Sequence, residues 1–268
     1  MYVRNRKRLL IALGGIALSI IGIYLLTELI SDSLAIVAAI AWATLIIVGS
    51  MYRWRATPSM YDSQFRELHI LIDLQPLVGG SFLPFGAWAL APDDLHRLVS
   101  TIQHERFETI VECGTGVSTI AIGRLLRQLG RGHLYSLEED RSWHDVMAAT
   151  LVFERLTDHV TLIHAPLEHY REANARWYAS EGVDTIRSSI QHIDLLLIDG
   201  PKSESMYSRY PALPIFLPLL DTQSLIVLDD TRRTNEMAVL DRWRKENDVF
   251  VNEVTESRRG QSYIRLSR

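Results

Sequence analysis

Between Glu108 and Asp230 the chain repeats one pattern: a short apolar run, a polar tip, then a segment of helical length and periodicity. The runs are "ETIVEC", "HLYSLE", "HVTLIH", "HIDLLLID" and "SLIVLDD". None alternates apolar with polar, so each must be covered on both faces, which is how strands of a parallel sheet between helix layers read. Two further runs, "VFVNEVTE" and "QSYIRLS", are joined by "SRRG" and predict an antiparallel hairpin at one edge. The expectation is an α/β fold with a mostly parallel seven-stranded sheet. Open sheets of this kind bind ligands at the carboxyl ends of their strands, and four of the five parallel runs end on acids. The tips are Glu112 with Gly114 and Gly116; Glu138 with Glu139 and Asp140; His164 with Ala165; Asp199 with Gly200; and Asp229 with Asp230. An ionised carboxylate beside a core is costly unless paired, solvated or bound to a ligand.

The first tip continues as "GTGVST", a glycine-rich turn that opens a helix. Such turns take nucleotide-like ligands, with phosphate at the helix N-terminus in the dinucleotide version. Here Thr119 stands where that version has its third glycine, and Glu112 precedes the turn. A carboxylate there suits a cationic ligand group, an ammonium or a sulfonium, better than a pyrophosphate. A net charge of -4 gives no support for nucleic-acid binding. The single cysteine, Cys113, excludes an internal disulfide and a multi-cysteine zinc site, and its place inside an apolar run predicts burial.

The first fifty residues are far more apolar than the rest. Leu9–Thr27 and Ser33–Tyr52 carry no charge, and each has about the 20 residues that a helix needs to cross a bilayer. "RNRKR" precedes the first and Arg53 and Arg55 follow the second, while the connection carries only Glu28 and Asp32. Basic flanks stay inside, so the pattern predicts a two-helix hairpin at 1–55 in a bacterial inner membrane, multi-pass, with the rest cytoplasmic. Residues 56–91 read as a linker with a packing helix at Gln64–Leu74. From Pro92 a helix is expected, capped by Asp93, with Leu95, Leu98, Val99 and Ile102 on one face; it opens the domain 92–268.

"VECGTGVST", "LYSLEED", "LLLIDGP", "RYPALP" and "LIVLDD", in this order, resemble the class I S-adenosylmethionine-dependent methyltransferases from about Trp88 onward. The resemblance is to bacterial members with an E-x-G-x-G-x-S-T turn and a D-G-P loop, and it implies a Rossmann-like fold. It implies that Glu112, Gly114 and Gly116 meet the methionine part of S-adenosylmethionine. Ser118 and Thr119 would cap the next helix near the ligand, Glu138 would accept from both ribose hydroxyls, and Ala165 would border the adenine. Asp199 would sit beside the methyl group as both cofactor contact and catalytic acid–base, with Asp230 and Lys202 as further catalytic candidates. Asp199, Asp229 and Asp230 resemble the three ligands of metal-dependent O-methyltransferases and would suit Mg2+. Arg209, Tyr210 and Trp177 are acceptor-binding candidates; the alternatives are a solvated loop for Arg209, packing beneath that loop for Tyr210 and a core position for Trp177.

The reading is therefore a membrane-anchored O-methyltransferase acting on a small-molecule, glycan or lipid-linked acceptor. The alternatives are an NAD-dependent oxidoreductase on the same topology and a non-catalytic membrane-anchored scaffold.

Overall fold

The computed structural model describes residues 21, 24, 32–56, 60–79, 89–247, 249–255, 257 and 259–267. The chain divides into two compact units, Met1–Phe65 and Arg66–Arg268. In the first, helix α1 spans Asp32–Ala56. Ile40, Leu45 and Ile47 on it are each more than half exposed. Among the described residues, no helix is long and apolar enough to cross a membrane. Of the first predicted span, Leu9–Thr27, only Ile21 and Tyr24 lie within the described residues. The second, Ser33–Tyr52, falls on α1.

Helix α2, Met60–Val78, is longer than the expected Gln64–Leu74, with Pro76 in its last turn. Leu74 and Leu77 on it are buried among Leu95, Leu98 and Ile102. Those three come from α3, Pro92–Glu105. The cap of α3 is not Asp93 as expected. Ala91, in extended conformation, occupies that position, and Pro92 at the first helical residue has no N–H that needs a partner. Asp93 lies in the first turn, where its charge suits the positive end of the helix.

The remaining elements alternate as the sequence predicts: β1 Thr109–Cys113, α4 Val117–Leu129, β2 His133–Glu138, α5 Arg141–Phe153 and β3 Val160–His164. After β4 Leu167–Tyr170 and β5 Ala175–Tyr178 come α6 Ser180–Ser189, β6 Leu195–Ile198, α7 Ala212–Phe216 and β7 Leu225–Leu228. Helix α8 Thr234–Glu246 leads to β8 Val249–Val254 and β9 Ser262–Leu266. Seven strands form one sheet in the order β3-β2-β1-β6-β7-β9-β8. The first five are parallel; β9 runs antiparallel to β7, and β8 to β9.

The strands read as continuous apolar runs because successive residues enter two different cores. Ile110, Leu195 and Leu197 pack with α3, α4 and α5, while Val111, Cys113, Leu196 and Ile198 pack with α6 and α8. Removing such side chains from water is worth about 1.5–3 kcal/mol each. Cys113 is a buried free thiol, as expected. Burial raises its pKa and withholds the reactive thiolate.

The β4–β5 pair is a separate antiparallel ribbon that the sequence reading did not foresee. Chain order runs outward from β1 to β3 and returns to β6 on the other side of β1, so the topological switch lies between β1 and β6. There the loops after these strands part and leave a crevice.

Candidate active site

Two glycines govern the crevice. Gly114 has φ +95°, which an L side chain rarely adopts, and a Cβ there would stand 2.8 Å from the amide nitrogen of Gly200. A Cβ on Gly200 would in turn meet the backbone of Gly114 and the hydroxyl of Tyr178. The turns after β1 and β6 thus lie backbone against backbone. Gly116 differs: a Cβ on it would meet nothing within 4 Å. It faces open space, and that space is a cavity of about 570 Å³, within the range of small-molecule sites.

From the β1 turn the cavity is lined by Gly114, Thr115, Gly116, Val117 and Ser118; from the end of β2 by Glu138, Glu139 and Asp140, with Trp143 beyond. Asp199, Gly200, Lys202 and Ser203 line it after β6, and Asp230 and Arg233 after β7. Ala89, Leu90, Arg209 and Arg259 complete it.

Glu138 accepts from the amide N–H groups of Thr115 (3.2 Å) and Asp140 (2.9 Å). Its carboxylate is therefore fixed beside the turn. Burial raises its pKa to about 7, against the lowering effect of the Asp140 amide. Asp140 caps α5 by accepting from the Trp143 amide at 2.9 Å, and the Trp143 indole N–H donates to Thr115 O at 2.9 Å. The indole is thereby pinned against the glycine turn. Sequence reading missed Trp143; its signal was its position three residues after a helix-capping aspartate.

Glu112, expected at the methionine part of the ligand, does not line the cavity. It is fully buried and takes Ser118 Oγ (2.5 Å) on one oxygen, and Thr119 Oγ1 (2.5 Å) and Ser136 Oγ (2.6 Å) on the other. It shares the α4-facing side of β1 with Ile110, and the hydroxyls that open α4 reach down to it. Burial raises its pKa, opposed by those three hydroxyls. Thr119 Oγ1 also accepts from the Gly116 amide at 2.9 Å, the helix-capping role expected of it. Neither Glu112 nor Thr119 lines the cavity; Ser118 lines it with its hydroxyl turned to Glu112.

Ala165 and Trp177 also lie away from this cavity. Ala165 is fully buried against Gly182, whose added Cβ would stand 2.5 Å from the Ala165 Cβ. Trp177 is on β5, buried in the α6-side core. Tyr210 is likewise buried; its hydroxyl donates to Glu246, and the Arg242 guanidinium lies 3.8 Å from its ring centroid. Its pKa rises to about 12, through burial first and then the bond to Glu246.

Asp199, Asp229 and Asp230 do converge, with oxygens within 4.8 Å of one another. Beside them is Arg209, almost wholly buried yet part of the cavity lining. It donates to the main-chain oxygens of Pro201, Asp229 and Asp199, and its Nη2 is 3.4 Å from Asp199 Oδ1 and 3.5 Å from Asp230 Oδ2. Its Nε is 3.8 Å from Glu236, a buried acid that the sequence reading did not single out. Burial alone would lower the Arg209 pKa, but the surrounding carboxylates, Asp199 foremost, raise it. Asp199 itself is pushed up to about 7 by burial, with Arg209 opposing and Asp230 adding to the rise. Burial is also the first cause that raises the Asp229 pKa well above its usual value, and Asp229 Oδ1 and Asp230 Oδ1 are buried without a hydrogen-bond partner. Three hard oxygen donors, two of them carrying unsatisfied atoms, fit a divalent cation such as Mg2+.

Residues 111–231 match the family model described as a methyltransferase domain. Among solved structures, a putative O-methyltransferase from Klebsiella pneumoniae superposes with a TM-score of 0.53 at 20% identity, covering 81% of this chain and 95% of that one. The O-methyltransferase from Bacillus cereus in complex with SAH gives 0.53 at 16%, covering 81% and 96%. A putative caffeoyl-CoA O-methyltransferase from Staphylococcus aureus gives 0.55 at 14%, covering 76% and 100%. At these identities the likeness is one of fold. No curated protein sequence matches the chain.

Proposed function

We infer that the chain is an S-adenosylmethionine-dependent methyltransferase and that its acceptor atom is an oxygen of a small molecule. The observation that carries the reading is the cavity at the β1–β6 switch, with Glu138 held beside a side-chain-free turn and Asp199 facing the same space. The family match over 111–231 supports methyl transfer, and the O-methyltransferases that share the fold support oxygen as the acceptor.

S-adenosylmethionine, when bound, supplies a methyl group already activated by a sulfonium. The chain must then bind, align and handle a proton. Glu138 accepts from the two ribose hydroxyls, which suit one carboxylate as a pair of donors. Gly116 leaves room for the ligand to lie along the backbone, and Trp143 walls that side. Asp199 takes the proton that an acceptor hydroxyl loses, and a carboxyl whose pKa is about 7 is suited to both holding and releasing it near neutrality. With Mg2+ bound, Asp199, Asp229 and Asp230 would hold it as carboxylates and the cation would supply positive charge for the developing alkoxide; the pKa of about 7, and with it the proton-accepting role of Asp199, belongs to the metal-free site. Arg209 keeps the three acids together, and Lys202 stands at the cavity wall beyond Asp199.

Glu138→Ala is expected to weaken S-adenosylhomocysteine (SAH) binding roughly tenfold or more, the worth of hydrogen bonds to a charged acceptor. Titration calorimetry checks this, and unchanged affinity would remove the ribose assignment.

Membrane attachment at the cytoplasmic face belongs to the same proposal, and extends the acceptor class to glycans or lipid intermediates. Its support is the uncharged stretches Leu9–Thr27 and Ser33–Tyr52, the basic residues flanking them, and the exposed apolar side chains of α1. The full chain should then stay with the membrane pellet through carbonate washing. Release into the supernatant would contradict the anchor without touching the chemistry.

A further inference from the structure

We propose that Glu236 is the counter-charge of Arg209: by balancing that guanidinium from behind, it leaves the charge of Asp199, Asp229 and Asp230 to a divalent cation. The inference rests on the cation reading of those three acids and adds a positioning residue to it.

Glu236 does not line the cavity and belongs to no motif. It is the third residue of α8, 1% exposed, and neither of its oxygens has a hydrogen-bond partner. A glutamate at this place in a helix commonly turns back to the amide of the capping residue. Here that residue is Arg233, and its amide already donates to Asp230 O at 2.8 Å. The guanidinium that Glu236 meets is that of Arg209, whose Nε lies 3.8 Å from its Oε1. A carboxylate buried without hydrogen bonds is costly unless an opposite charge stands beside it, and Arg209 is that charge.

The Arg209 guanidinium is fixed beside the acids by the main chain. Its Nη1 donates to Asp229 O at 3.1 Å, its Nε to Pro201 O at 3.4 Å and its Nη2 to Asp199 O. Nη2 then stands 3.4 Å from Asp199 Oδ1 and 3.5 Å from Asp230 Oδ2, both long for a charge-assisted hydrogen bond. The acids therefore attract the guanidinium without closing on it, and Asp229 Oδ1 and Asp230 Oδ1 have no hydrogen bond at all.

A positive charge in this place competes with a metal ion for the same oxygens. Arg233 and Arg259 also approach Asp230, with Nη1 2.7 Å from Oδ2 and Nε 3.9 Å from Oδ1. Their side chains are 40% and 29% exposed, so water and salt weaken their pull. Those of Arg209 and Glu236 are 4% and 1% exposed, where charges act most strongly on one another. With Glu236 ionised, Arg209 is balanced and the three acids keep their charge. With Glu236 neutral, Arg209 draws on Asp199 and Asp230 alone.

The test titrates Mn2+ into the full chain in detergent and reads the unbound ion by electron paramagnetic resonance. The parent should bind one Mn2+, and Glu236→Gln should bind it about tenfold or more weakly, with SAH affinity within about twofold of the parent. Glu236→Asp keeps the charge and should recover part of the loss. Adding Arg209→Met to Glu236→Gln should recover it too, because no guanidinium is then left to balance. Parent-like Mn2+ affinity in Glu236→Gln overturns the proposal, as does a double variant no tighter than Glu236→Gln. Should the double variant fail to fold, a Glu236→Asp affinity as low as that of Glu236→Gln overturns it as well. A charge that only steadied the N-terminus of α8 would act on the melting temperature and leave Mn2+ affinity unmoved. A parent that takes no Mn2+ strikes the cation reading itself, and the proposal with it.

Discussion

Asp199→Ala is expected to lower turnover by about 10²–10⁴-fold, the range for loss of a positioned acid–base group, with SAH binding within about threefold of the parent. The fold should survive, because Arg209 keeps Asp230, Glu236 and three main-chain oxygens as partners. Asp199→Asn should lose as much turnover, since an amide keeps the shape and cannot take the proton.

The pH dependence follows from the same residue. Its pKa is raised to about 7 by burial, so kcat/KM of the parent should climb as pH rises through about 7 and the carboxylate ionises. The stability linkage has the opposite sense. A carboxyl whose folded pKa lies above its unfolded one contributes stability below the unfolded value and loses it as pH rises through the folded one. With Glu138 raised in the same way, the ligand-free protein should melt at a lower temperature at pH 8 than at pH 5. A flat rate profile would remove Asp199 as the proton acceptor. The same assay with EDTA separates the two uses of the acids: abolished turnover supports a cation among Asp199, Asp229 and Asp230, and unchanged turnover leaves them with their arginine partners.

Glu112→Ala is expected to cost about 3 kcal/mol or more of stability, read as a shifted denaturation midpoint. The reason is the loss of one acceptor shared by three buried hydroxyls. Each orphaned group costs about 1–3 kcal/mol where it finds no substitute, and the lost side chain leaves a void. Ser118 and Thr119 open α4 and Ser136 lies on β2, so the substitution unfastens the turn that lines the cavity. Glu112→Gln should cost less, because one oxygen still accepts. A contact to the ligand's ammonium would behave the other way: unaltered stability and weakened SAH binding. That second outcome would restore Glu112 to the site.

Glu112 also shows where the sequence was legible and where it was not. The sheet could be read because strands buried on both faces are apolar at every position, and their polar tips mark the strand ends. Residue type at a tip says that a carboxylate is needed, but not which way it turns. In β1 the alternation that sends Val111 and Cys113 to one core sends Ile110 and Glu112 toward α4, so the most motif-like acid of the chain became a buried fastening. Glu138 lies one strand over, with its oxygens fixed beside the turn by two backbone amides, and lines the cavity. The β4–β5 ribbon was missed because "LEHY" and "ARWY" are too short to show a period, and Trp177 went with it to the core. Arg233 and Arg259 carry no motif. Both approach Asp230 because β9 runs back antiparallel along β7, a pairing that no local spacing reveals.

The central claim is that the cavity at the β1–β6 switch holds S-adenosylmethionine. Titration calorimetry of the full chain with SAH and, separately, with NAD tests it most directly. One SAH per chain should bind in the micromolar range, and NAD should give no heat. Binding of NAD in place of SAH, or of neither nucleotide, would contradict it.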